Sequence, residues 1–495
     1  MTYDLLIIGG GINGAAIARE AALNGLAVML VEKGDLAGAT SSASTKLIHG
    51  GLRYLEYYEF KLVAEALRER ERLIHAAPHI IYPLQFVLPH ENAVRPWWMV
   101  RLGLLLYDFL GGRMSLPRSR GLKASDSAFT APLRGGNRGF VYSDAWVDDA
   151  RLTVLNAIDA AANGAEIIVQ TALVSARREG DVWRATLSDG REIMARAMVN
   201  AAGPWVHQML GKLGVNAASG VRLIKGSHIV VPSLFEGPQA YILQQPDRRI
   251  VFAIPYEHGS TEIGTTDVPV DAPEDAVIDA GEIAYLCDAV NRHFIKQVSP
   301  ADVTSSWSGV RPLYDDGASE AKAVTRDYVL ELDTLGPPLL SVFGGKITTA
   351  RHLAEEAIGK LAGPMGFAAA RVTRSRPFPG GDIGDFAVFL GEVRRRWAFL
   401  GAARSERMAR AYGSMLGEML SGIDDEAGMG KPLGGGLTEI EARWMHDREW
   451  ARVPEDALHR RSKIGLHLSA AERAAFESWW ATVYSAPHPS PSRSG

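Results

Sequence analysis

One short stretch constrains this chain more than any other. Within the first 33 residues an apolar run, a glycine turn, a helical stretch and a second apolar run follow in order. Leu5 to Ile8 is continuous and apolar, the pattern of a strand buried on both faces. Gly9, Gly11 and Gly14 follow at G-x-G-x-x-G spacing, and Ile12 to Asn24 is Ala-rich and helical. Ala27 to Val31 is a second buried strand, closed by Glu32 roughly 20 residues past the glycines. In a βαβ unit of this kind the first glycine allows a tight turn. The second lets a pyrophosphate approach the backbone, and the third lets helix and strand pack closely. The helix N-terminus offers its partial positive charge to the phosphates, and the acid meets a ribose hydroxyl. The glycine pattern alone is weak. With strand, helix and acid in register it outweighs the bland reading of a glycine-rich turn.

Such a unit fills a small part of the chain. Its 495 residues imply two to four domains. Lys and Arg total 53 against 57 for Asp and Glu, so nothing draws the whole molecule to nucleic acid, and none is expected as a partner. Cys287 is the single cysteine, which rules out an intramolecular disulfide and a multi-thiolate metal site. No metal is expected, and the usage suits a reducing cytoplasm. The first residues run straight into a strand, without the charged and apolar regions of a signal peptide. No stretch reaches the ~18 apolar residues of a membrane span. The nearest, Trp97 to Leu110, is interrupted by Arg101 and Asp108.

Along the chain, strands and helices alternate, then β-branched runs dominate residues 221–270, then helices. The expected fold class is α/β. A discontinuous Rossmann-like FAD-binding domain carries an inserted antiparallel substrate, or cap, sheet and an all-helical C-terminal domain. The expected boundaries give the FAD domain 1–75, 141–220 and 331–365, with a cap and membrane-facing insertion at 76–140. The substrate sheet is 221–330, the helical domain 366–485 and a frayed tail 486–495. Pro78, Pro83, Pro89 and Pro96 should break residues 78–96 into short extended pieces.

Two distant features favour FAD over NAD. Val199 to Gly203 is a strand running into a small-residue turn at Ala202-Gly203, followed by Pro204-Trp205. Phe343-Gly344-Gly345-Lys346 opens a late helix whose N-terminus could stabilise negative charge on a flavin pyrimidine. Parts this far apart suit one long cofactor, and no second G-x-G-x-x-G occurs for an NAD domain.

Several ordered segments then resemble a known family, the FAD-dependent, aerobic glycerol-3-phosphate dehydrogenases. The first is Ala39-Thr40-Ser41-Ser42-Ala43-Ser44-Thr45-Lys46-Leu47-Ile48-His49-Gly50-Gly51-Leu52-Arg53-Tyr54-Leu55. Others are Tyr142-Ser143-Asp144 with Trp146 to Leu152, Leu223 to His228, Ile263 to Asp267, Ser308 to Leu313, and Thr325 to Tyr328. The segments Leu437-Thr438-Glu439 and Arg460 to Leu466 resemble the family's helical C-terminal domain less tightly. The resemblance implies a glycine oxidase-like fold, FAD, and oxidation of sn-glycerol 3-phosphate to dihydroxyacetone phosphate. It also implies a quinone acceptor and peripheral binding to the inner face of the cell membrane; it leaves a homodimer open. Cofactor contacts are expected at Gly9, Gly11, Asn13, Gly14, Glu32, Thr40, Ser41, Ser42, Lys46, Leu47, His49, Gly50, Gly51, Ala202, Gly203, Gly344, Gly345, Lys346 and Thr348.

A phosphorylated substrate needs cationic donors, and the planar arginine fork suits phosphate oxygens. Arg53, Arg311 and Arg326 are the candidates, with Tyr54 beside the first, although most arginines are surface ion pairs. Loss of a hydride from carbon accompanies removal of the hydroxyl proton, for which a histidine is well matched. His49 and His228 are both candidates, and the sequence does not choose between them. Lys346 at a helix start opposes the dipole, so a ligand or reduced-flavin role suits it better than helix stabilisation. Thr265, Thr266 and Asp267 could meet the substrate or simply cap a turn. Arg95 to Leu106 combines basic, indole and aliphatic groups, as an interfacial membrane helix or an internal core helix would. An oxidase using oxygen, an amine-oxidising enzyme and a flavin-binding regulatory protein without turnover are the alternatives.

Overall fold

In the computed structural model, the strand–turn–helix–strand pattern of the first 33 residues becomes the middle of a sheet. The structure describes residues 2–91, 95–135, 138–215, 220–315 and 327–484. Thr2–Ile8 pairs in parallel with Val28–Val31 on one side and with Glu192–Asn200 on the other. Glu166–Ile168 extends the sheet beyond Val28–Val31, and Leu339–Phe343 extends it beyond Glu192–Asn200, both in parallel. Val329–Asp333 is the antiparallel edge, and a hairpin of Leu173–Glu179 and Val182–Leu187 attaches to Glu192–Asn200. Leu5 to Ile8 and Val28–Val31 are buried throughout, which explains their unbroken apolar sequence. The helix Ile12–Leu23 packs against Asp149–Ala162 and Ala350–Met365. A buried Arg19–Asp159 pair at 2.7 Å joins the first two of these helices. The sheet is therefore assembled from segments some 340 residues apart.

A second, larger sheet supplies the other wall of the site. Gly220–Pro232 runs antiparallel to Ser305–Asp315 and to Ser260–Gly264. The order continues through Ile250–Tyr256, Ala240–Gln244, Ile81–Pro89 and Gly139–Val147 to Leu47–Ile48. One expectation is corrected here. Pro83 and Pro89 do not break the chain but lie inside the nine-residue strand Ile81–Pro89. That strand registers with Gly139–Val147 along its whole length, but with Ala240–Gln244 only at Phe86 and Val87. Both prolines thus fall where one side needs no ladder hydrogen bond. The helix Ala280–Asn291 is started by Asp279 and Glu282, which cap each other's backbone amides.

The chain divides into two compact units, residues 1–378 and 379–495. Both sheets belong to the first. The second is helical apart from a small hairpin of Pro432–Gly434 with Leu437–Thr438. Its helices Phe386–Arg396, Gly401–Tyr412, Glu439–Glu449 and Ala470–Tyr484 enclose a core that includes Trp397, Met408, Tyr412, Met445, Phe476 and Trp480. Inside it the buried Glu441 carboxylate is met by Arg407 and by the Tyr412 hydroxyl.

Candidate active site

The glycine turn is shaped by contacts that leave no room for side chains. Gly9 has φ +108°, and a Cβ there would lie 2.5 Å from the Ala201 carbonyl oxygen. A Cβ on Gly14 would lie 2.0 Å from the Gly9 carbonyl oxygen. Helix Ile12–Leu23 starts at Gly11 with no side-chain cap, and the Ile12 amide donates to Ser41 Oγ at 2.9 Å. The remaining first-turn amides are those an anion can use. Glu32 accepts from the amides of Gly10 at 2.7 Å and Gly34 at 2.8 Å. A carboxylate has about four acceptor positions, so two are left for a ribose. Burial pushes the Glu32 carboxyl above its usual range. Asn13 Nδ2 donates to the Gly344 carbonyl at 3.0 Å, and Asn13 Oδ1 is buried without a hydrogen-bond partner among the described residues. The glycine turn and the Gly344-Gly345 turn thus meet at Asn13.

From there a cavity of about 860 Å³ opens between the sheets. His49, Gly51, Arg53, Tyr54, Arg311, Gly344, Gly345 and Lys346 line it, together with Thr40, Thr45, Phe252, Thr265 and Asp267. Arg53 Nε is buried and has no hydrogen-bond partner among the described residues. An unpaired guanidinium edge costs free energy that an anionic ligand would recover. Lys346 Nζ stands over the Tyr54 ring, 4.0 Å from its centre. Arg311 is half-exposed and held by Asp267 at 2.5 Å and by the Thr266 carbonyl at 3.1 Å. The Thr266 hydroxyl turns away from the cavity, donating to Glu282 at 2.6 Å and accepting from the Ser227 amide.

The two histidines occupy different positions. His49 borders the cavity beside Phe252, and its backbone amide donates to Thr348 Oγ1. Burial lowers its pKa, and Lys346 and Arg70 lower it further while Asp144 opposes them. His228 lies behind Thr45, whose Oγ1 is 2.8 Å from its Nε2. It stacks on Trp307, and its Nδ1 is buried without a hydrogen-bond partner among the described residues. Burial pushes it well below the ordinary histidine value, and Lys46 and Arg311 add to that. Both are therefore neutral near pH 7 and able to accept a proton.

Comparison with known proteins fixes what this architecture belongs to. Residues 4–351 match the family model "FAD dependent oxidoreductase". The chain is 51% identical over 481 residues to a glycerol-3-phosphate dehydrogenase of Pseudomonas aeruginosa, covering 95% of this chain and 93% of that one. It is 49% identical over 490 residues to a D-erythritol 1-phosphate dehydrogenase of Brucella abortus, covering 97% and 98%. Among solved structures, the glycerol-3-phosphate dehydrogenase from Bacillus halodurans complexed with FAD superposes with a TM-score of 0.77 at 28% identity, covering 98% of this chain and 92% of that one. The chain belongs to the FAD-dependent oxidoreductase family, in its glycerol-3-phosphate dehydrogenase group.

As a member of this family the protein is a flavoenzyme, and its residues fit the cofactor. The uncapped helix N-terminus suits a pyrophosphate, and the acceptors left on Glu32 suit a ribose. Ala202 and Gly203 follow the Glu192–Asn200 strand beside Gly9. Thr40 donates to the Val310 carbonyl and tethers the Arg311 strand to the cofactor-contact segment. Ser42 Oγ donates to the Ala39 carbonyl, and the Ser42 carbonyl accepts from Lys46 Nζ. Lys46 and Leu47 do not border the cavity. Lys46 is almost fully buried, 3.2 Å from Asp149, and Leu47 pairs with Trp146 in the large sheet. Arg326 lies outside the described residues. Sequence reasoning missed Thr45 and Phe252, which line the cavity; for Thr45 the neighbouring His49 motif was the available signal.

Proposed function

We propose that this flavoenzyme oxidises C2 of sn-glycerol 3-phosphate, yielding dihydroxyacetone phosphate, and passes the electrons to a membrane quinone. FAD, when bound, supplies the acceptor for hydride at N5. The chain's own side chains do the rest. Arg53 and Arg311 bind the phosphate, with Tyr54 closing that side. Lys346, already over the Tyr54 ring, places a positive charge where negative charge collects on the reduced cofactor. A neutral histidine takes the hydroxyl proton, either His49 at the cavity wall or His228 through Thr45. The observation that carries the reading is Arg53, whose Nε is buried without a hydrogen-bond partner among the described residues, in the same cavity as a neutral histidine.

Membrane attachment is read from helix Trp97–Leu110. Trp98, Met99, Leu102, Leu105, Leu106 and Phe109 form an exposed apolar face at three- and four-residue spacing. Arg113 and Arg118 are exposed beyond its end, as an anionic lipid surface would favour. Among the described residues no helix is long and apolar enough to cross a membrane, so the reading is of a chain lying on the inner face.

The test is anaerobic mixing of the purified yellow protein with sn-glycerol 3-phosphate, following flavin absorbance. Bleaching by it and not by glycerol supports the assignment, and rapid reoxidation by a quinone and not by air supports the acceptor. D-erythritol 1-phosphate is the second reading, favoured by the Brucella abortus relative. Faster bleaching by that compound would replace the first assignment.

A further inference from the structure

Three buried side chains behind the cavity wall have no part in the chemistry above. The Gly50 amide donates to the Tyr107 hydroxyl at 2.7 Å, and that hydroxyl lies 2.8 Å from both oxygens of Asp144. A phenol carries one proton, so Tyr107 accepts from Gly50 while donating to Asp144. Asp144 also receives Arg70 Nη1 at 2.5 Å, and the same nitrogen reaches the Ser143 carbonyl at 2.9 Å. Tyr107 and Arg70 are 3% exposed and Asp144 1%. Burial beside Asp144 drives the phenol far above its usual pKa, so it stays protonated and keeps donating.

Three elements converge on this one amide. Arg70 comes from helix Phe60–Ala76, Tyr107 from helix Trp97–Leu110 and Asp144 from strand Gly139–Val147. Gly50 itself has no slack: a Cβ there would lie 2.7 Å from Leu67 and 2.8 Å from the Tyr107 hydroxyl. Gly51 follows in the left-handed region, φ +74°, and then Arg53 and Tyr54. The peptide at Gly50 thus separates His49 from the arginine loop. A buried ion pair adds little net stability compared with apolar packing of the same volume. What it contributes is direction, because a desolvated charge fixes the donors around it.

We propose that Arg70, Asp144 and Tyr107 form a positioning relay that fixes the Gly50 peptide and so sets His49 and Arg53 against the reacting groups. Their roles there rest on the function proposed above; the fixing of Gly50 does not.

The test uses the FAD-loaded full chain with Tyr107→Phe, which removes the hydroxyl and keeps the ring. Hydrogen exchange in the peptide spanning Gly50 should quicken at least about tenfold, with protection elsewhere unchanged. The limiting rate of flavin reduction should fall about tenfold, by more than substrate affinity falls, with FAD content preserved. Unchanged exchange at Gly50 overturns the relay. So does a loss of protection spread across the chain, which is a merely structural effect. Arg70→Lys keeps a positive charge beside Asp144 if Tyr107→Phe folds poorly, and should show the same local loosening in milder form. Should wild-type protein not be reduced by sn-glycerol 3-phosphate, the proposed function fails while the exchange measurement still decides the relay.

Discussion

The glycine turn and the cavity that opens beyond it are built on different principles. At the glycine turn, recognition is carried by the backbone: Gly9, Gly11 and Gly14 shape it, and Glu32 braces it through the amides of Gly10 and Gly34. These residues lie within one βαβ unit. The cavity beyond it is lined by side chains from many separated segments, among them 40–54, 252, 265–267, 311 and 344–346. The first is a shape that tolerates no extra atom. The second is a charge arrangement, in which groups are exchangeable at a graded cost.

That contrast is open to direct attack. Gly14→Val should have the largest effect, since even a Cβ would lie 2.0 Å from the Gly9 carbonyl. Purified protein should then lack flavin absorbance altogether, and a yellow variant would break the comparison. Next come the histidines. Replacing the true base by Asn should slow flavin reduction about 10²- to 10⁴-fold with FAD retained, and the other replacement far less. Arg53→Ala should lower kcat/KM about 100-fold, because Arg53 Nε is buried without a partner among the described residues. Arg311→Ala should cost nearer tenfold, since Arg311 is half-exposed and already shares its charge with Asp267. Equal losses would show that the two arginines are equivalent.

The pH dependence sharpens the same point. A histidine base works when deprotonated, and both candidates are held below the usual 6.5 by burial. The limiting rate should therefore stay flat from pH 8 down past 6.5 and decline only below it. A decline centred above 6.5 would assign the step to another group. Glu32→Gln should be the mildest change. Its remaining carbonyl can serve only one of the two amides, weakening FAD binding about fivefold by equilibrium titration.

The same division decides what could be read from sequence. The βαβ unit declares itself because period, glycines and acid are local, and its strands are buried on both faces. The large sheet is harder, because Ile81–Pro89 joins a strand beginning some fifty residues later and carries prolines that argue against it. At the site, His49, Arg53 and Arg311 were reached through motif resemblance and Lys346 through its place at a helix start, and all four gather in one cavity. Lys46, in the same motif, is tied instead to Asp149, a partner about a hundred residues away that no local pattern reveals. Tyr107 was hidden for a different reason. Its helix reads as one apolar stretch, and only the fold shows that Val100, Leu104 and Tyr107 turn inward while Trp98, Leu102 and Phe109 turn out.

The Asn13 bond to Gly344 has a consequence for biosynthesis. It spans 331 positions of the chain, so the pocket's two lips leave the ribosome far apart in time. The early βαβ unit can collapse as soon as its own strands emerge, whereas on the cofactor site proposed above the second lip forms only once the Leu339–Phe343 strand and the turn after it have been added. Nascent chains shorter than this must wait empty, with the cleft beside Gly9 unsealed. Flavin loading is thereby a late checkpoint, passed only by molecules whose first unit is nearly all synthesised.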